Sequence, residues 1–425
     1  MMANTELAHD EAYYWLWSQY PDWGYFDHPP LIAWVIGFSA HWIPGEWGVR
    51  LGPFCALIAA ASMVGRALIA ADRQWAWWAG WLVFPLLSFT PGLALPDAVL
   101  LATALVFFWA LHAYIERDSI STAIAIGVAA SLLLYAKYHG ALLIAGAVMG
   151  VPELVKRPSF WLTAIIGCLM LLPHGLWQWR HDFVTLDFHL FMAHRGKLSL
   201  QRPVEFLLQQ VFLPGAFLAP WVWSKALKNW RIDSFQRALA GMAIMTVGVF
   251  FLFSFFKTIE GNWTVAGYLA LLVLVLRVPG DWLPESRLFA VLGACSVILL
   301  LALKLFIAVD GSEKIVRRIA EIRGWKAWAR ALAGAAPDCA LVANSYQIAA
   351  KLSFYLNRNV PSVNHSRPNQ FDFWNLERGL KGQPVCWITS KADETGNEWR
   401  TPQGKRLYLI KYQTIEHLVN ASEPR

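Results

Sequence analysis

Apolar runs suited to single membrane crossings recur through the first three quarters of the chain. They cover 50–66, 74–92, 97–115, 119–136, 139–154, 158–177, 206–224, 238–256, 262–277 and 288–308, each near the ~20 largely apolar residues that one spanning helix needs. Another apolar stretch, 31–43, is too short to span and reads as a helix lying in the membrane interface. From about residue 310 the pattern changes. Residues 312–333 have helical periodicity, ALVAN (340–344) predicts a short strand leading into a helix at 345–357, and PVCWIT (384–389) and RLYLIKY (406–412) predict further strands. Pro361, Pro368, Pro384 and Pro402 mark the loops between them. The pattern predicts a polytopic α-helical membrane domain over 1–309, with a first external loop over 1–49, and a small α/β domain over 310–425. No internal repeat or low-complexity tract is visible.

Charge sharpens this division. Of 425 residues, 57% are hydrophobic and 15% charged, against about 25% charged in ordinary soluble domains. Residues 1–309 hold 37 charges (19 Lys/Arg and 18 Asp/Glu), whereas the 116 residues that follow hold 28. A single water-soluble enzyme, a disulfide-rich secreted module and a disordered chain are all excluded. The net charge of +7 comes without a basic run of five or more, so nucleic acid is not an expected partner. The 24 Trp suit the headgroup level.

Basic residues also order the connections. Arg66, Arg73, Arg117, Lys156, Arg157, Lys225, Lys228, Arg231, Arg237, Arg277 and Arg287 all fall in alternate connections, which the positive-inside rule makes cytoplasmic. The opposite connections carry chiefly Lys137 and Lys257, apart from a longer stretch over 178–205 with Arg180, Arg195, Lys197 and Arg202. Both chain ends are then expected outside the cytoplasm. The five Cys lack CxxC spacing, so a metal cluster is not expected. Cys55, Cys168 and Cys295, in apolar runs, read as small buried hydrophobes. Cys339 and Cys386 either pair in an oxidising compartment or remain two buried thiols, the simpler account.

The remaining charged residues gather on the outer face. Asp10 and Glu11 open the first loop in HDEAYYWLW, and Tyr25, Phe26, Asp27 and His28 follow in WGYFDHPPLIAW. Asp97 starts the third span, Lys137, Tyr138 and His139 sit between the fourth and fifth, and Lys257 and Glu260 follow the eighth. Each has a bland explanation. Asp10, Glu11 and Asp97 can cap helices, Lys137 can snorkel and His139 can be satisfied locally. Their gathering on one face favours chemistry: cations hold an anionic phosphate, and a carboxylate beside it takes a proton from an attacking hydroxyl.

HDEAYYWLWSQYPDWGYFDHPPLIAW resembles the first external loop of GT-C glycosyltransferases. It is most similar to the bacterial family of lipid A aminoarabinose transferases and protein O-mannosyltransferase relatives. The resemblance implies that the acidic pair Asp10–Glu11 carries the catalytic Asp, with Asp97 as the second family Asp. It also implies that Tyr25-Phe26-Asp27-His28-Pro29 stands for the family's Tyr-Phe-acid-base-Pro motif, His28 replacing a common Lys. Lys137 in AKYHG and Lys257 in FKTIEGNW become donor-phosphate ligands with His28. Tyr25, Asp27, Tyr138, His139, His181 and Trp263 become substrate-cavity residues, Trp177 and Asp182 matching the same long loop as His181. ANSYQIAAKLSFYL and NQFDFW resemble the external domain of bacterial members. The family places a membrane helix before the acidic pair, so a truncated start is expected.

The implied activity is inverting transfer of a hexosyl or pentosyl group from a polyprenyl-phosphate donor to an envelope acceptor. That acceptor is a lipid A or lipopolysaccharide group, a glycan or a protein hydroxyl. The expected place is the bacterial inner membrane, with the active site and C-terminal domain facing the periplasm. No metal or other cofactor is expected, although Asp27 and Asp97 leave room for a divalent ion. A transporter or flippase would also line a cavity with charge; it would typically carry inverted repeats and would not need a 116-residue external tail. A purely structural subunit would not need an acid–base cluster.

Overall fold

The structure is a computed structural model. It describes residues 5–190, 198–212, 219–229, 233–277, 287–308, 320–363, 368–391, 396–416 and 418. The chain forms α1 (His9–Gln19), α2 (Leu31–Trp42), α3 (Gly45–Leu68), α4 (Gln74–Val83), α5 (Pro85–Phe89), α6 (Pro96–Glu116), α7 (Ile120–Ala136), α8 (Gly140–Gly150) and α9 (Pro158–Arg180). It continues with α10 (Val184–Leu190), α11 (Gln201–Phe212), α12 (Ala219–Asn229), α13 (Ser234–Ser254), α14 (Val265–Arg277) and α15 (Arg287–Ala308). Among the described residues α3, α6, α9 and α13 are long and apolar enough to cross a membrane, joined by shorter apolar helices. This is a multi-pass membrane protein.

Local chemistry sets the helix ends. Ser119 accepts from Thr122 N and Asp233 from Gln236 N, each in a reciprocal capping box. Pro96 sits at the first position of α6, with Asp97 in its first turn. One expected span is not continuous. The run 74–92 breaks into α4, α5 and a 3-10 turn at Thr90–Gly92, because Pro85 cannot continue a helix. In the run 206–224, α11 and α12 account for the described residues, and 213–218 lie outside the described set. Segment 31–43 is helical as expected, and α2 packs on α1 and α3. Arg195, Lys197 and Arg231 also lie outside the described residues.

The C-terminal domain holds α16 (Trp325–Ala335), β1 (Ala340–Ala343), α17 (Tyr346–Leu356), α18 (Phe371–Trp374), β2 (Val385–Thr389), β3 (Asn397–Arg400) and β4 (Arg406–Tyr412). Its sheet has the order β1-β2-β4-β3, β1 and β2 parallel and the others antiparallel. Of the helix expected over 312–333, the described part is a 3-10 turn at Ala320–Ile322 followed by α16; residues 312–319 lie outside the described set. Edge strand β3 has three of its four residues exposed, so no alternating apolar pattern marked it.

Cysteine placement departs from the simpler expectation. Cys339 and Cys386 form a disulfide with Cα atoms 5.6 Å apart, because the parallel register sets Ala340 opposite Val385. Cys55, Cys168 and Cys295 are exposed, on helix surfaces where a small apolar side chain suits lipid. Replacing both bridged cysteines with Ala is expected to lower the stability of the C-terminal domain by about 2–4 kcal/mol, read as faster proteolysis of the tail in denaturant. Unchanged proteolysis would show the bridge to be energetically silent.

Candidate active site

The acidic pair begins α1, and successive helix positions point about 100° apart. Glu11 turns inward and is fully buried, whereas Asp10 is exposed. Arg50 of α3, 1% exposed, grips Glu11 with two hydrogen bonds of 2.7 and 2.6 Å. The Glu11 carboxylate also accepts from the N–H groups of Ala8 (2.8 Å) and Ala94 (2.9 Å). Arg50 gives its remaining donors to the Thr5 carbonyl and hydroxyl and to the Glu6 carbonyl. The two adjacent carboxylates are thus set apart by environment. One is consumed in holding the loop and the other faces outward.

Asp10 and Tyr14 stand one turn apart on the same helix face. Burial holds the Tyr14 phenol well above its ordinary range, and the negative charges of Asp10, Asp27 and Asp97 hold it there further. Three acids from separate elements thus bear electrostatically on one phenol. The Tyr14 ring lies 6.0 Å from the His28 ring, which leads into a cavity.

That cavity of about 220 Å³ opens between α8 and α13. The helices run antiparallel with their backbones in contact, since a Cβ on Gly146 would fall 2.4 Å from Met242 Cα and one on Gly241 would fall 2.1 Å from the Gly146 carbonyl. Small residues permit such close approach in membranes. The contact fixes the start of α8 against the end of α13, and Leu142, Val249, Phe250 and Phe253 form an apolar wall. The rest of its lining is His28, Lys137, Tyr138, His139, Lys257 and Trp263.

Each cation is held by a neighbour. Lys137 caps the C-terminus of α7, and its Nζ pairs with Asp97 Oδ1 at 2.9 Å, both groups nearly buried. Asn262 Nδ2 donates to the other Asp97 oxygen at 2.8 Å. Lys257 lies past the end of α13, its ammonium 4.5 Å from the Trp263 ring centroid. Burial lowers its pKa to about 8. His139 sits between Phe250 and Trp263, at 4.9 and 5.1 Å. Tyr138 lies 2.8 Å from His174 Nε2 and accepts from Gln178.

Three expected cavity residues sit elsewhere. Tyr25 is fully buried, stacked on Trp17 at 4.4 Å, with its hydroxyl bonded to backbone carbonyls of the same loop. His181 stacks on Trp177 at 4.1 Å, and Trp177 in turn covers Gly24 and donates to Asp22. Asp27 is buried and accepts from the Tyr13 hydroxyl at 3.1 Å. These residues shape the loop that presents His28 and are not among the cavity walls. Arg50, Asn262 and the apolar wall went unmarked by sequence. Only the polar Asn262, beside an otherwise apolar span, carried a signal.

The fold is similar to that of two crystal structures of ArnT from Cupriavidus metallidurans. The apo form matches with a TM-score of 0.65 at 14% identity over 100% of this chain and 96% of that one. The undecaprenyl phosphate complex matches with a TM-score of 0.66 at 16% identity, over 96% and 95%. The chain has a GT-C fold. Among curated proteins, the lipid A galacturonosyltransferase RgtD of Rhizobium johnstonii is 26% identical over 291 residues, covering 64% of this chain. The chain spans 60% of that relative's length. No family model matches. The GT-C likeness extends over both the membrane helices and the C-terminal sheet, consistent with coverage of the whole chain.

Proposed function

We propose that the protein is a membrane glycosyltransferase that moves a sugar from a polyprenyl-phosphate donor onto a cell-envelope acceptor. The observation that carries this is the convergence of Lys137, Lys257 and His28 on one cavity that also has an apolar wall of Leu142, Val249, Phe250 and Phe253. Cations beside an apolar wall suit a phosphate carried on a hydrocarbon chain. Support comes from the fold shared with a structure bound to undecaprenyl phosphate and from the likeness to a lipid A galacturonosyltransferase.

In this reading Asp10 takes the proton from the acceptor hydroxyl or phosphate, whose oxygen attacks the anomeric carbon. The carbon–oxygen bond to phosphate breaks, the configuration inverts, and the electron pair stays on the polyprenyl phosphate. Lys137, oriented by Asp97, and Lys257 and His28 stabilise that leaving anion. Glu11 holds the loop through Arg50. The C-terminal disulfide and the scarcity of Lys and Arg in the short outer connections support placement of the site and tail on the periplasmic face of the inner membrane, with residues 1–309 and 310–425 as the two domains. The acceptor is lipid A or lipopolysaccharide, at a hydroxyl or a phosphate, or a glycan or protein hydroxyl.

Mass spectrometry of envelope glycolipids with and without the chain tests the proposal. A species heavier by one sugar, present only with the chain, is expected. Substrate flux in proteoliposomes without a new covalent product would replace it with transport.

A pH dependence follows from Lys257. Its ammonium is present below about pH 8 and lost above it, so affinity for undecaprenyl phosphate should fall about tenfold between pH 7 and 9. Lys257→Arg should remove that fall, because guanidinium stays charged. A flat wild-type profile would separate Lys257 from the phosphate.

A further inference from the structure

We propose that Gln370, in the C-terminal domain, is a positioning residue for the cavity: it fixes the segment that presents His28. The proposal rests on the reading of His28 as a phosphate ligand. Gln370 lies 344 residues from Phe26 and is 2% exposed, in the NQFDFW run that the reaction above leaves unused.

Two bonds join it to the first loop. Gln370 Oε1 accepts from the Phe26 N–H at 2.8 Å, and the Gln370 N–H donates to the Tyr13 hydroxyl oxygen at 2.9 Å. The Tyr13 hydroxyl donates its single proton to Asp27 Oδ2 at 3.1 Å. Consecutive residues are thereby held at two different points, Phe26 by its backbone and Asp27 by its carboxylate. The next residue is His28, followed by Pro29 and Pro30, whose rings restrict the backbone on the other side. His28 is clamped between a hydrogen-bonded pair and a diproline. Tyr13 is itself seated on the domain, its ring centroid 4.7 Å from that of Tyr346 and stacked with Phe371. A buried N–H that loses its acceptor is costly enough to move the segment, and small displacements of a binding group are costly in function.

The test uses the full chain in detergent. Gln370→Met keeps the side-chain shape and removes the acceptor. Deuterium uptake over residues 22–30 should accelerate about tenfold relative to wild type, with α6 unchanged. Affinity for undecaprenyl phosphate should fall about tenfold. In a His28→Ala background, Gln370→Met should produce no further fall, since groups acting through one another are not additive. Tyr13→Phe, which cuts the branch to Asp27, should raise uptake over the same peptide and serves if Gln370→Met does not fold. Unchanged uptake over 22–30, or the same fall in both backgrounds, would overturn the proposal. If His28→Ala binds as tightly as wild type while Gln370→Met still loosens 22–30, the phosphate role of His28 fails and the clamp stands.

Discussion

Asp10→Asn is expected to lose transfer activity by about 10²–10⁴-fold, the typical contribution of a positioned general base, while the protein still inserts and folds. The side chain is exposed at the start of α1, so the substitution changes charge without opening a void. Single-turnover transfer from a polyprenyl-phosphate-linked sugar, measured by mass spectrometry of the product, checks the expectation. Near wild-type transfer would remove Asp10 from the role of base. The neighbouring acid should behave differently, because its oxygens already serve Arg50 and two backbone N–H groups.

Arg50→Met carries the largest expected loss of stability. It leaves a fully buried Glu11 carboxylate without its cation, and breaking a buried pair by removing one partner costs about 3–5 kcal/mol. It also frees the carbonyls of Thr5 and Glu6 that Arg50 now bonds. The expected result is a lower thermal midpoint by tryptophan fluorescence and early proteolysis ahead of α1. Arg50→Met combined with Glu11→Gln should recover part of the loss, since the uncompensated charge is gone. A single variant as stable as wild type would mean that the pair is dispensable.

Much of the architecture was legible in the chain, and the reasons differ by element. Long apolar runs bounded by capping residues marked α6 and α7 within a residue or two, because one period dominated them. Pro85 hid a break inside an apolar run, since hydropathy alone does not register a lost backbone donor. For the site, Lys137, Lys257 and His28 stood out because charge near a membrane is rare, and one cavity unites them. Glu11 and Asp10 looked equivalent, as adjacency in sequence does not reveal which side of a helix is buried. Arg50 was invisible for the opposite reason. It opens an apolar run where a basic residue normally marks topology, and only the packing of α1 shows its partner. Gln370 had no local signal, its bonds being made to residues more than 340 positions away.

That separation has a consequence for assembly. Segment 5–14 is secured by groups at the far end of the chain: Glu6 accepts from the N–H groups of Trp325 and Lys326, Leu7 N–H donates to the Tyr355 hydroxyl, and His9 N–H donates to Glu321. Chains emerge from the ribosome in order and domains generally fold as units, N-terminal first. The loop bearing Asp10 therefore waits for the last hundred residues before it is locked. Under the proposed function, transfer competence is then expected to be the final event of biogenesis, and a chain released before its C-terminal domain is complete is expected to insert without becoming active.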